Sequence, residues 1–226
     1  ANRPAFGSDK SDYKFYYSFY EDRCVVSKNG KFGFLDKSGN VAIDLLYDDA
    51  YSFSSGLAAV SKDGKFGYID KDGNTVIDFL YTTANTFRDG YAKVSKHGRY
   101  GFIDKTGGRG TPIIYETAAD FSEGLSRVKI NGKYTFVDQN GFFYFAPVFE
   151  EAYDFSGGMA RVKINGNYGY LKKDGEFAIA PKYGYLSAYV GDYAIAGQYV
   201  ADGVLWYGML DKNGNRVLPV PYERIG

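Results

Sequence analysis

The sequence predicts an all-β protein of six tandem units of about 34 residues, each a three- to four-stranded antiparallel meander. Three observations carry this expectation. An aromatic residue followed by a position normally Gly recurs at Phe32-Gly33, Phe66-Gly67, Tyr100-Gly101, Tyr134-Thr135, Tyr168-Gly169 and Tyr207-Gly208, spaced by 34 residues four times and then by 39. Each unit carries Asp-Gly or Asn-Gly type turns, which close tight hairpins through positive φ. The composition, 23 Tyr, 18 Phe and 29 Gly against 2 Met in 226 residues, favours short strands and tight turns over helices.

Within the second unit, Leu57-Ala58-Ala59-Val60 reads as a first strand and "KDGK" as its turn. "FGYID" is a second strand, "KDGN" a second turn and "TVI" a third strand. The return segment "DFLYTTANTFRDG" has room for a short fourth strand, which would bring the chain back to the edge where the next copy begins. Residues 1–12 read as a polar leader and 13–226 as a single repeat domain, with units near 13–46, 47–80, 81–114, 115–148, 149–182 and 183–221. The first unit aligns "YKFYYSFYEDRCVV" on "YDDAYSFSSGLAAV", and the chain stops at "PYERIG" in the phase in which it starts.

Three units depart from the average. In the first, Asp22 replaces the usual Gly. In the third, "KTGGRGTPIIY" breaks the third strand with Gly108, Gly110 and Pro112, and later prolines at 147, 181, 219 and 221 blunt the same edge. The sixth carries five extra residues in "GQYVADGVLWYG", a lengthened first turn. A lengthened loop in a regular array is where function is expected.

Charge and cysteine usage narrow the chemistry. Twenty-seven basic and 27 acidic residues cancel, so no nucleic-acid partner is expected. Cys24 stands alone, which rules out an intrachain disulfide and a Cys-based metal site. No apolar run is long enough for a membrane span, so no membrane insertion is expected, and the first residues show no signal peptide.

The recurrent aspartates Asp36, Asp70, Asp104, Asp138 and Asp211 invite an acid/base reading, yet they stand one per unit at a strand end, where turn N–H groups bind a side-chain oxygen. "DKDGNT" and "DKNGNR" resemble calcium loops only faintly, since Thr75 and Tyr81 stand where the EF-hand Gly and acid belong. His97 falls at a hairpin tip and Cys24 in a first strand, so no nucleophile and base are paired in sequence. No catalytic residue, metal or cofactor is therefore expected. Carboxylates facing each other across a ring axis would be the remaining route to a hydrolase.

Periodic aromatics such as Phe66, Tyr68 and Phe87 read as packing between units. Seven others are the candidate binding residues: Tyr16, Tyr17 and Tyr20 in the first unit, and Tyr185, Tyr189, Tyr199 and Trp206 in the sixth. Capping of the unit ends or a homodimer contact accounts for them as well as a binding surface does.

The motif "GLAxVxxxGKFGYIDKxGNxVI…YxxAxxFxxG" resembles the bacterial WG (KWG) repeat over residues 13–222, with Phe or Tyr at the Trp place and Trp206 just before Tyr207. That resemblance implies an interaction scaffold without particular chemistry, often an exported module. The hairpin grammar is also similar to quinoprotein-type propeller blades. Six copies in closed phase suit a propeller-like ring, and an open curved β-array meets the same repeat logic. The expected function is a non-enzymatic protein-interaction or scaffold module. Carbohydrate or cell-wall binding through exposed aromatics is the alternative, so the expected partner is another protein, or else a glycan.

Overall fold

The structure, a computed structural model, describes residues 13–15, 18–108, 110–199 and 205–222, with the backbone alone at 205–206 and 218–222. It is all-β: among the described residues no helix forms, and so none is long and apolar enough to cross a membrane. The chain divides into two compact bodies, Ala1–Tyr115 and Glu116–Gly226. Each body holds three antiparallel sheets in chain order.

In the first body, β1 (Lys14–Phe15), β2 (Cys24–Lys28), β3 (Lys31–Leu35) and β4 (Val41–Tyr47) form one sheet. The next is β5 (Asp49–Ala50), β6 (Ala58–Lys62), β7 (Lys65–Ile69) and β8 (Thr75–Tyr81), and the third is β9 (Thr83–Ala84), β10 (Tyr91–Lys96) and β11 (Arg99–Asp104). The second body begins with β12 (Thr117–Ala118), β13 (Ser126–Ile130) and β14 (Lys133–Val137). It continues with β15 (Glu151–Ala152), β16 (Met159–Ile164), β17 (Asn167–Lys172) and β18 (Phe177–Tyr183), and ends with β19 (Tyr185–Leu186), β20 (Tyr193–Tyr199), β21 (Leu205–Asp211) and β22 (Arg216–Tyr222).

The short extra strand exists, but it opens a sheet rather than closing one. β9 pairs with β10 through Val94↔Ala84, both within the unit near 81–114, while "DFLY" extends the third strand of the unit before it to seven residues as β8. Tight turns supply the connections. Asp63 and Gly64 (φ 52° and 72°), and likewise His97 and Gly98 (51° and 72°), are positive at both central residues, the type I′ geometry that matches strand twist.

β8 is bulged against β7: Phe66 opposes Tyr81, whereas Tyr68 opposes Ile77. Four residues on one strand therefore face two on the other, and the looped-out carbonyls press on Gly67 between them. The third unit keeps its Gly101 but loses its regular third strand around Gly110 and Pro112, leaving the isolated bridges Tyr100↔Tyr115 and Ile103↔Gly110. The fourth unit also lacks a regular third strand. There Thr135 replaces the Gly, its hydroxyl donates to the Phe145 carbonyl at 2.5 Å, and only Tyr134↔Phe149 and Val137↔Phe143 bridge.

Within each body successive sheets stack face on face, because alternating residues bury both faces of the central strands. One face of the second sheet, with Leu57, Ala59, Tyr68 and Ile77, meets Ala92, Val94 and Ile103 of the third in one cluster. The same junction joins Phe34 to Ala58 and Val60, Phe136 to Ala160 and Val162, and Tyr170 to Ala194 and Ala196. Each junction also seats an aromatic from the return segment on the strand-two aromatic: Phe34–Phe53 and Tyr68–Phe87 at 4.9 Å, Phe136–Phe155 at 4.8 Å, Tyr170–Tyr189 at 4.7 Å. Where that strand-two residue is Tyr, its hydroxyl donates across the junction, from Tyr68 to the Asn85 carbonyl at 2.8 Å and from Tyr170 to the Ser187 carbonyl at 2.6 Å.

Candidate binding surface

The recurrent aspartates are occupied by their own turns. Asp70 accepts from the Asp72 N–H (3.0 Å), the Asn74 N–H (2.8 Å) and the Asn74 side-chain amide (3.0 Å). Asp211 repeats this with Asn213 and Asn215, and Asp138 with Asn140 and Phe142. In the fifth unit, where Lys172 stands instead, the task passes to Asp174, which accepts from the Glu176 N–H at 2.9 Å. These bonds favour the ionised form. The Asn74 amide holds the Asp70 carboxyl below its ordinary 3.8, the Asn215 amide does so for Asp211, and the Asn40 N–H for Asp36.

A stability prediction follows from the sign of these shifts. The unfolded chain binds protons more readily than the folded one, so the stabilisation is present above about pH 4 and is lost as pH falls through the lowered native values. Denaturant midpoints measured from pH 5 to pH 2.5 are expected to fall steadily below pH 4. The Asp70→Asn variant is expected to be less stable at neutral pH and to show a shallower acid slope.

Cys24 is buried in β2 with Val26 and Leu35, and burial pushes its thiol up. Among the described residues no three His, Cys, Asp or Glu side chains group as metal ligands.

The candidate binding residues fall in different surroundings. Tyr16 and Tyr17 lie outside the described residues. Tyr20 is exposed at a tight turn bridged to Arg23 in the first body. Tyr189 is a correction: it takes the junction place of Phe53, Phe87 and Phe155, packs on Tyr170 and donates to the Asp211 carbonyl at 3.1 Å. It is a packing aromatic, and burial raises its hydroxyl to about 12. Trp206 lies on β21 opposite Gln198.

Tyr185 and Tyr199 do come together on one surface. Tyr185, Gly197 and Tyr207 are directly opposed across β19, β20 and β21, so they share one face of the sixth sheet. Gly197 leaves a gap over which the two rings meet edge to face at 5.7 Å. Tyr193, Ile195 and Tyr199 follow at alternate places on the same face of β20. Ile195 is 45% exposed and Tyr199 60%, whereas Ala59, at the place equivalent to Ile195, is 0% exposed beneath the third sheet.

The position before the short strand also differs in the sixth unit. The residue before the short strand is an acid in the second, fourth and fifth units, and it holds the following first turn: the Asp63 N–H donates to Asp48, Gly132 to Glu116 and Gly166 to Glu150. In the sixth unit that position is Gly184. The Tyr199 ring lies so close that a Cβ on Gly184 would meet it at 2.1 Å.

A second exposed group escaped the sequence reading. Phe142, Phe143, Tyr144 and Val148 are exposed in the fourth unit, Phe142 at 72%. The signal was present in "GFFYFAPVF", which has no polar alternation where the first, second, fifth and sixth units have a regular third strand.

The sheets define a tandem β-repeat protein, built from one antiparallel unit copied along the chain. The WG containing repeat matches residues 32–66, 66–100, 100–134, 134–168 and 168–198, and the chain belongs to that family. The first four matches each run from one aromatic of the series Phe32, Phe66, Tyr100, Tyr134 and Tyr168 to the next, the place held by Trp in the family name and by Phe or Tyr here, and the fifth runs from Tyr168 to Gln198. No curated protein matches the chain in sequence.

Among solved structures, the chain is similar to one described as the eukaryotic initiation factor, at 10% identity and a TM-score of 0.49, covering 90% of this chain and 63% of that one. A KlHsv2 with loop 6CD replaced by a Gly-Ser linker matches at 11% identity and 0.41, covering 87% and 76%. The WD40 domain of SCAP from fission yeast matches at 9% and 0.36, covering 90% and 67%.

Proposed function

We propose that this chain is a non-enzymatic protein-interaction module, and that the outer face of its sixth sheet is a contact surface. The observation that carries the reading is the exposed row of Tyr185, Tyr193, Ile195 and Tyr199. Its counterpart on the fifth sheet is covered by the sheet that follows. Large rings on a rigid strand surface lose little side-chain entropy on binding, which suits them as anchors. The carboxylates that recur along the chain are engaged in turns, which supports a binding role over an acid/base one.

The test is affinity capture by the immobilised chain, with an Ile195→Asp/Tyr199→Ser variant alongside. A protein retained by the native chain and lost with the variant is the expected result, at least a tenfold drop in affinity once that protein is purified. Equal retention by both, with the variant folded by circular dichroism, would move the surface elsewhere.

A further inference from the structure

We infer that the first body carries a separate surface for an extended acidic peptide, formed by the basic tips of the hairpins that join β2 to β3, β6 to β7 and β10 to β11. Each tip closes on two directly opposed cations: Lys28 with Lys31, Lys62 with Lys65, and Lys96 with Arg99. Lys14 on β1 stands opposite Ser27, next to the first of these pairs. The junction contacts repeat from sheet to sheet within the body, so the three tips emerge side by side at one end. Lys31, Lys62, Lys65 and Arg99 are exposed, and Lys28 and Lys96 are partly so.

The fold does not require these charges. The fourth and fifth hairpins close through the same turn, with positive φ at Asn131–Gly132 and Asn165–Gly166 as at Asn29–Gly30 and Asp63–Gly64, yet their opposed residues are Ile130 with Lys133 and Ile164 with Asn167. Nor does stability favour them, because like charges directly opposite across two strands repel. Nearby acids relieve only part of that repulsion. Among the described residues of the first body, three carboxylates share this end with the seven cations: Asp48 pairs with Lys31 and accepts from the Asp63 N–H, Asp49 accepts from the Ala50 N–H, and Asp63 lies at a tip. Lys62, Lys65 and Lys96 make no hydrogen bond or ion pair among the described residues. A repulsion that the turn does not need, present in three successive copies and absent from the next two, points to an anionic ligand.

The tips also indicate which anion. All the opposed cations but Arg99 are lysines, compact point charges that lack the fork with which arginine grips a phosphate in two places. Asn29, Asp63 and His97 precede the turn Gly, so the tips offer neither a ring for a nucleic-acid base to stack on nor an apolar anchor for a bilayer. Packed sheets repeat about every 10 Å, and three residues of extended chain span about the same distance. An extended peptide with an acid at every third place therefore presents one carboxylate to each tip.

The test titrates the full chain into a fluorescently labelled peptide of repeated Glu-Ser-Ser, with a Gln-Ser-Ser peptide, a single-stranded oligonucleotide and phosphatidylserine vesicles as the opposing arms. The Glu-Ser-Ser peptide is expected to bind, and to bind at least tenfold more weakly at about 500 mM salt than at about 50 mM. Affinity should fall tenfold or more in Lys62→Gln/Lys65→Gln/Lys96→Gln. It should be unchanged in Lys133→Gln, the matching place on the fourth hairpin, and in Ile195→Asp/Tyr199→Ser, which separates this outcome from that of the sixth-sheet surface. The triple variant should keep or raise its denaturant midpoint, because it relieves a repulsion, whereas a structural role for the lysines would lower it. The inference is overturned if the acidic peptide does not bind, if its binding is indifferent to the triple variant or matched by the Gln-Ser-Ser peptide, if the triple variant unfolds more readily than the native chain, or if the oligonucleotide or the vesicles bind more tightly than the peptide.

Discussion

Phe136→Ala is expected to lower stability by about 4 kcal/mol, the cost of emptying a fully packed aromatic site that cannot close up. Phe136 is 0% exposed on β14, and three other rings surround it: Phe155 at 4.8 Å, Phe145 at 6.1 Å and Phe149 at 6.2 Å. Phe155 belongs to the return segment entering the fifth sheet, so the truncation empties a junction rather than the interior of one sheet. The fourth unit has little to compensate with, because it lacks a regular third strand. Denaturant unfolding followed by circular dichroism reads the loss directly, with Trp206 fluorescence as a separate probe of the second body. A loss under about 1.5 kcal/mol would show that the fourth and fifth sheets do not depend on this contact.

Gly67→Ala is expected to cost about 2 kcal/mol, at the level of inserting a methyl into a packed interior. The added Cβ would stand 2.6 Å from the Ile77 carbonyl oxygen and 3.0 Å from the Asp78 carbonyl carbon. Those atoms are backbone, held by the bulge of β8, and relief requires the strand itself to shift. Gly56 is the control. It has open space around its α-carbon and a φ of 88°, so Ala there costs only the backbone strain, about 1 kcal/mol. Comparing the two denaturant midpoints separates steric contact from backbone strain. Equal losses would mean that the bulge yields.

The comparison of Gly67 with Thr135 shows how far the sequence could be followed. The repeat, the turns and the antiparallel meander were legible because each is local: a period, a pair of turn residues, an alternation. The Gly after the aromatic was legible as a landmark only. Its cause is a carbonyl ten residues away, brought near by a bulge that appears only once both strands are paired. For the same reason the loss of the third strand in the fourth unit, and the exposed Phe142 and Tyr144 that go with it, were not anticipated from Thr135.

The candidate surface was partly legible. Tyr185 and Tyr199 were picked out as departures from the period, and they lie on one face of the sixth sheet. Tyr189 stands 34 residues after Phe155 and keeps the period. A Tyr at a Phe place reads as a change of chemistry, while the structure uses it for the same contact. Tyr207 and Ile195 each sit at a regular position, so the period does not mark them. Only the strand register, which sets both beside Gly197 or along its strand, shows that they belong to the surface.

The junctions have a bearing on how such a chain changes over generations. Each described junction sets a ring-bearing face against a face of Ala with Val or Leu, and the interior sheet of each body offers one of each. Recombination between copies that removes or adds a whole unit therefore leaves a seam of the kind already present. Copy number can drift without a new core being invented.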